Sequence, residues 1–107
     1  MSQMSAKDIV ELLKNNVDGV VQYLLPNGVK KGREWCVGSI SGELGESLKI
    51  CLEGDKKGIW KDFATEYGGD LLNLWCDCRT LSTHGAILEA RQWLGIAHVA
   101  FEPKRAA

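Results

Sequence analysis

The segment from Gly58 to Trp75, which runs Gly-Ile-Trp-Lys-Asp-Phe-Ala-Thr-Glu-Tyr-Gly-Gly-Asp-Leu-Leu-Asn-Leu-Trp, limits most strongly what this chain can fold into. Ile59, Lys61 and Phe63 alternate with Trp60, Asp62 and Ala64, so an extended backbone sends the two sets to opposite faces. Gly68-Gly69 is expected to remove side chains where the chain reverses, and Asp70 stands where an N-cap carboxylate accepts from a first-turn N–H. Leu71, Leu72, Leu74 and Trp75 then form the apolar stripe of a helix. A strand, a glycine turn and a capped helix follow one another within eighteen positions, and the flanking sequence reads as support for that corner.

Upstream, Ser5 and Asp8 match a capping box, with Ile9, Val10, Leu12 and Leu13 forming the apolar face of a short helix to Asn15 or Asn16. Val17 to Leu25 predicts a second short helix, ended by the Pro26-Asn27-Gly28 turn. Strands are expected over Arg33 to Ser39 and Ser47 to Leu52, linked by the glycine-rich piece from Gly38 to Gly45. Glu53 to Gly58 is a hairpin connection to the third strand. Thr80 to Thr83 reads as a break and a new cap before a last helix that Gly95 closes. The expected fold is α+β: a three- or four-stranded antiparallel sheet over residues 30–66, with helices over 5–25 and 70–95. Residues 1–100 are expected to form one domain and 101–107 read as a linker-like tail, which points toward a fragment without deciding between a fragment and a whole gene product.

Composition narrows the function classes. With 107 residues and 45% hydrophobic content, the chain has material for one modest core. Its 13 basic and 14 acidic side chains leave a net charge of -1, so a nucleic-acid surface has to come from local clustering. The lack of a long apolar run or a signal-peptide pattern favours the cytoplasm and no membrane partner. Cys36, Cys51, Cys76 and Cys78 form no C-x-x-C pair and read as reduced thiols. On a helix Cys76 and Cys78 would point about 200° apart, which suits no shared ion. His84 and His98 are isolated from any nucleophile. Asp62, Glu66 and Asp70 read as turn and cap groups rather than a carboxylate cluster for phosphoryl transfer.

The order of elements resembles the N-terminal zinc-ribbon domain of bacterial and phage DNA primases, over residues 18 to 95. In that family the third strand ends Cys-Phe-Gly-Cys-Gly-x-Gly-Gly-Asp, and the same nine places here run from Asp62 to Asp70, keeping Phe63, Gly68, Gly69 and Asp70. The family's Cys-Pro-Phe-His pair falls near Cys36 to Ser39. The chain is more similar still to cysteine-poor versions in primases and primase-helicases of phages and mobile elements. Leu-Pro-Asn-Gly (25–28), Gly-Arg-Glu-Trp (32–35), Ser-Leu-Lys (47–49) and the run from Asp62 to Leu72 carry that likeness.

The resemblance implies a zinc-ribbon-like fold and a non-catalytic module that presents single-stranded DNA during primer synthesis. Its partners would be a primase catalytic domain or a replicative helicase. Zinc would have to be held by Cys36, Asp62 and His84 without paired spacings, so no metal or other cofactor is expected. A structural zinc ion contributes on the order of 10 kcal/mol to a small ribbon, and Trp35, Trp60, Trp75 and Trp93 are the side chains that can offset its loss by packing. The expected DNA contacts are Lys30, Lys31, Arg33, Lys49 and Lys61 on phosphates, with Trp60 or Tyr67 stacking a base. Alternation sends Trp60 and Phe63 to opposite faces, so one of the two is expected to be exposed. The alternative is a protein-interaction module that docks to a primase or helicase without touching DNA.

Overall fold

Sheet register decides this architecture. A computed structural model describes residues 6–95, in the order α1 (Ala6–Asn15), α2 (Val17–Leu24), β1 (Val29–Lys31), β2 (Glu34–Val37), β3 (Leu48–Cys51), β4 (Trp60–Asp62), β5 (Tyr67–Gly69), α3 (Leu71–Arg79) and α4 (Thr83–Leu94). The five strands form one antiparallel sheet in chain order. The α+β class and the helices at both ends are as the sequence indicates, with five strands in place of three or four. The additional strands are β1, which is exposed throughout, and β5, which carries two glycines, so neither has the alternation of buried and exposed side chains that marks β4. Ser5, His98 and the 101–107 tail lie outside the described residues.

Trp35, Ile50, Trp60 and Gly69 stand opposite one another across β2 to β5, as do Val37, Leu48, Asp62 and Tyr67. Paired residues share a face, so these two rows mark one side of the sheet. Val37, Leu48, Ile50 and Trp60 on that side join Ile9, Leu13, Val20, Leu71, Leu74 and Trp75 in one buried core. Helices therefore cover this face, and the other faces solvent.

The tryptophans anchor the layers. Trp60 Nε1 donates to the Asp70 carbonyl at 2.9 Å, tying β4 to the start of α3, and Trp35 Nε1 donates to the Leu25 carbonyl at 3.0 Å. Trp75 and Trp93 meet with ring centroids 5.8 Å apart at a steep angle, and Tyr23 lies 5.4 Å and 5.9 Å from them. These rings supply both apolar area and fixed polar ends.

Asp70 caps α3 as the sequence indicates: its side chain accepts from Asn73 N–H at 2.9 Å, and Asn73 Oδ1 accepts from Asp70 N–H at 3.2 Å. Gly68 and Gly69 do not form the turn expected of them. They lie in β5, and residues 63–66 carry the reversal, with Glu66 at φ +66°. Close approach explains the glycines instead, because a Cβ on Gly68 would stand 2.5 Å from the Trp60 carbonyl oxygen. Ser82 caps α4 and Gly95 closes it at φ +82°. Among the described residues, no helix is long and apolar enough to cross a membrane.

Candidate nucleic-acid interface

The solvent face of the sheet is built from the other half of each strand's alternation. Cys36, Lys49, Lys61 and Gly68 form one row across β2 to β5, and Lys31, Glu34 and Cys51 form the next. Ile59 and Phe63 continue the same side of β4 and are 46% and 57% exposed. A shallow groove of about 320 Å³ runs between Lys49, Lys56, Ile59, Lys61 and Phe63, with Glu34 as its one acidic side chain. It adjoins a second depression of mixed charge, where Lys31, Arg33 and Lys56 stand among Glu34, Glu53 and Asp55.

Lys49 and Lys61 face each other directly on neighbouring strands, an arrangement that costs stability through like-charge repulsion unless an anion sits between them. Lys61 Nζ lies over the Phe63 ring, 5.3 Å from its centroid. Lys49 Nζ lies 3.7 Å from Cys36 Sγ and helps cover that thiol, which is 1% exposed. Among the described residues, Lys49, Lys56 and Lys61 form no ion pair with a carboxylate.

The neighbouring cations are less free. Lys31 is hydrogen-bonded to Glu46, which raises the lysine above its ordinary pKa and holds the carboxyl below its own. Arg33, in the β1–β2 turn, lies 3.9 Å from Glu53. An arriving phosphate must compete with both carboxylates.

The predicted contacts thus divide between the two faces. Lys31, Lys49 and Lys61 share the solvent face, with Arg33 at its rim. Lys30 pairs with Trp35 and so belongs to the helix-covered side, where it is exposed at the edge. Trp60 is 2% exposed and its indole N–H is engaged, so it cannot stack a base. Tyr67 is 73% exposed, but its pairing with Asp62 turns it away from the lysines. Phe63 is the aromatic side chain beside them, and the Lys61-x-Phe63 spacing is the signal that finds it.

Cys36 and Asp62 point to opposite faces and cannot share an ion, while His84 is exposed in the first turn of α4. Among the described residues, no group of three or more His, Cys, Asp or Glu is placed to hold a metal. Asp62 accepts from Ala64 N–H at 2.9 Å, as a turn group does, and Asp70 is the cap. The cysteines are free, Cys36 buried and the others half-buried. No family model, curated protein or solved structure matches the chain.

Proposed function

We propose that this chain is a non-catalytic module that binds single-stranded nucleic acid on the open face of its sheet. The observation that carries this reading is the facing Lys49 and Lys61 pair, which makes no ion pair among the described residues, with Phe63 beside it. Two adjacent ammonium groups hold a phosphate, and the exposed ring offers a π-face to a base of any identity. Lys56, Lys31 and Arg33 carry further cations toward the β1–β2 turn, where Glu34, Glu46, Glu53 and Asp55 offset part of their charge. The sequence likeness to cysteine-poor primase ribbons supports the finer role, presentation of DNA template to a primase catalytic domain in phages or mobile elements, in the cytoplasm. On this reading, chemistry belongs to the partner, and the domain itself is not an enzyme.

The test is binding of a labelled single-stranded oligonucleotide, followed by anisotropy over a range of salt. Saturable binding is expected, with affinity falling as salt rises by about 0.7 in the logarithmic slope for each phosphate neutralised. Lys61→Ala should lower both affinity and slope, and Phe63→Ala should lower affinity with the slope preserved. Absence of binding at low salt overturns the reading.

A further inference from the structure

On the helix-covered side, beyond the core, the sheet edge holds a cavity of opposite character. It measures about 220 Å³ and lies between β4, β5, α3 and the loop after β2. Trp60 and Tyr67 give it aromatic walls, Ile40 an aliphatic one, and Asp62 and Asp77 its charge. Asp62 is 5% exposed, and only one of its carboxylate oxygens has a hydrogen-bond partner, the Ala64 N–H. The other has no protein donor among the described residues and is free to accept from an incoming group. No basic side chain lines this cavity or the depression beside it, whose rim carries Asn73, Cys76 and Thr83.

Two carboxylates with no compensating cation repel phosphate, so a nucleic-acid strand does not suit this side. The cavity is also smaller than the usual 300–1,000 Å³ of a cleft for a whole small molecule. One side chain fits it. We propose that the cavity receives a single arginine side chain presented by a partner protein, with the guanidinium plane against Tyr67 and its N–H groups on Asp62 and Asp77. Arginine suits the site better than lysine, because a planar and weakly hydrated cation stacks on an aromatic face and donates to two acceptors at once. The site is independent of the nucleic-acid surface, since the two lie on opposite faces of the sheet.

The test uses the full chain, isotope-labelled for amide NMR, titrated with three short peptides that differ at one position: arginine, lysine or the uncharged isostere citrulline. The arginine peptide is expected to shift the amides of Ala64, Tyr67 and Asp77, the lysine peptide to bind more weakly and the citrulline peptide to leave them in place. Asp62→Asn alters a buried group and could unfold the chain, so the exposed positions serve as variants. Asp77→Asn or Tyr67→Ala should weaken arginine binding by about tenfold, while Lys61→Ala leaves it unchanged.

Three outcomes overturn the proposal. The first is no response of these amides to the arginine peptide, or an equal response to citrulline. The second is a response of the same amides to a single-stranded oligonucleotide instead, which would make the cavity a base pocket. The third is a shift of these amides in the Lys104→Gln, Arg105→Gln double variant without any peptide, which would make the chain's own tail the occupant.

Discussion

Trp75 and Glu89 are joined across the two C-terminal helices by a 2.8 Å hydrogen bond from the indole N–H to a carboxylate oxygen. Arg79 grips the same carboxylate through two nitrogens, at 2.8 Å and 3.2 Å. One acid therefore satisfies a buried donor and pairs a guanidinium, holding α3 to α4.

That arrangement gives stability a pH dependence. The Arg79 hydrogen bond, and after it the Trp75 one, hold the Glu89 carboxyl below its ordinary value of 4.5. A carboxyl with a depressed folded-state pKa contributes stability above its unfolded pKa and loses it as pH falls through the folded one. Thermal melts should accordingly show the deficit of Glu89→Gln relative to the parent chain begin to narrow as pH falls below about 4.5, and close further as pH drops through the lower folded-state value and the parent's own carboxylate is protonated. A deficit that stays constant down to the acid limit would refute the coupling.

The Lys49 and Lys61 pair predicts opposite effects on stability and binding. Lys61→Glu places an opposite charge across from Lys49 and should raise stability by up to about 1 kcal/mol in urea titrations. The same variant should abolish oligonucleotide binding at moderate salt. Loss of stability together with loss of binding would mean that Lys61 serves the fold and not a ligand.

Gly68 and Gly69 should tolerate alanine unequally. A methyl group on Gly68 runs into the Trp60 carbonyl, which belongs to the sheet backbone and cannot move aside. Overpacking of this kind costs about 1–3 kcal/mol. At Gly69 the obstacle is the Asn73 side chain, which can turn away at the expense of its part in the α3 cap, about 1 kcal/mol. Equilibrium unfolding of the two variants should rank Gly68→Ala as the more damaging.

Cys78 should be the slowest of the half-buried thiols to alkylate. Burial pushes its pKa up to about 12, with Asp77 adding to the effect, so the thiolate is scarce at neutral pH. Mass spectrometry of the folded chain after a short iodoacetamide pulse should find Cys51, on the open face of the sheet, labelled ahead of Cys78. The reverse order would contradict this placement.

Much of the fold is legible wherever a local rule has a single meaning. Asp70 before an apolar run has one structural use, and so does Gly95 after one; both act as caps. The alternation from Ile59 to Phe63 separates the buried Trp60 from the exposed Phe63 because extended backbone allows nothing else. The Gly-Gly pair misleads because glycine signals either a turn or a close approach, and only the neighbouring β4 backbone distinguishes them. Tyr67 is misplaced for a related reason. Four residues with one in the left-handed region intervene after β4, and a period of two cannot be carried across them. The acidic cavity is hidden in sequence, since Ile40, Asp62, Tyr67 and Asp77 come from four separate segments.

The chain-order sheet also bears on how quickly the molecule assembles. Each strand pairs with the one just made, so every ladder closes across a loop of modest length and at small entropic cost. The exception is α1, which packs against α3 and α4 at the far end of the described chain. Its docking closes the longest loop in the molecule, and refolding after dilution from denaturant should be governed by that closure, with mutations at Ile9 or Leu13 showing in the unfolding rate if α1 docks last and in the folding rate if it docks first.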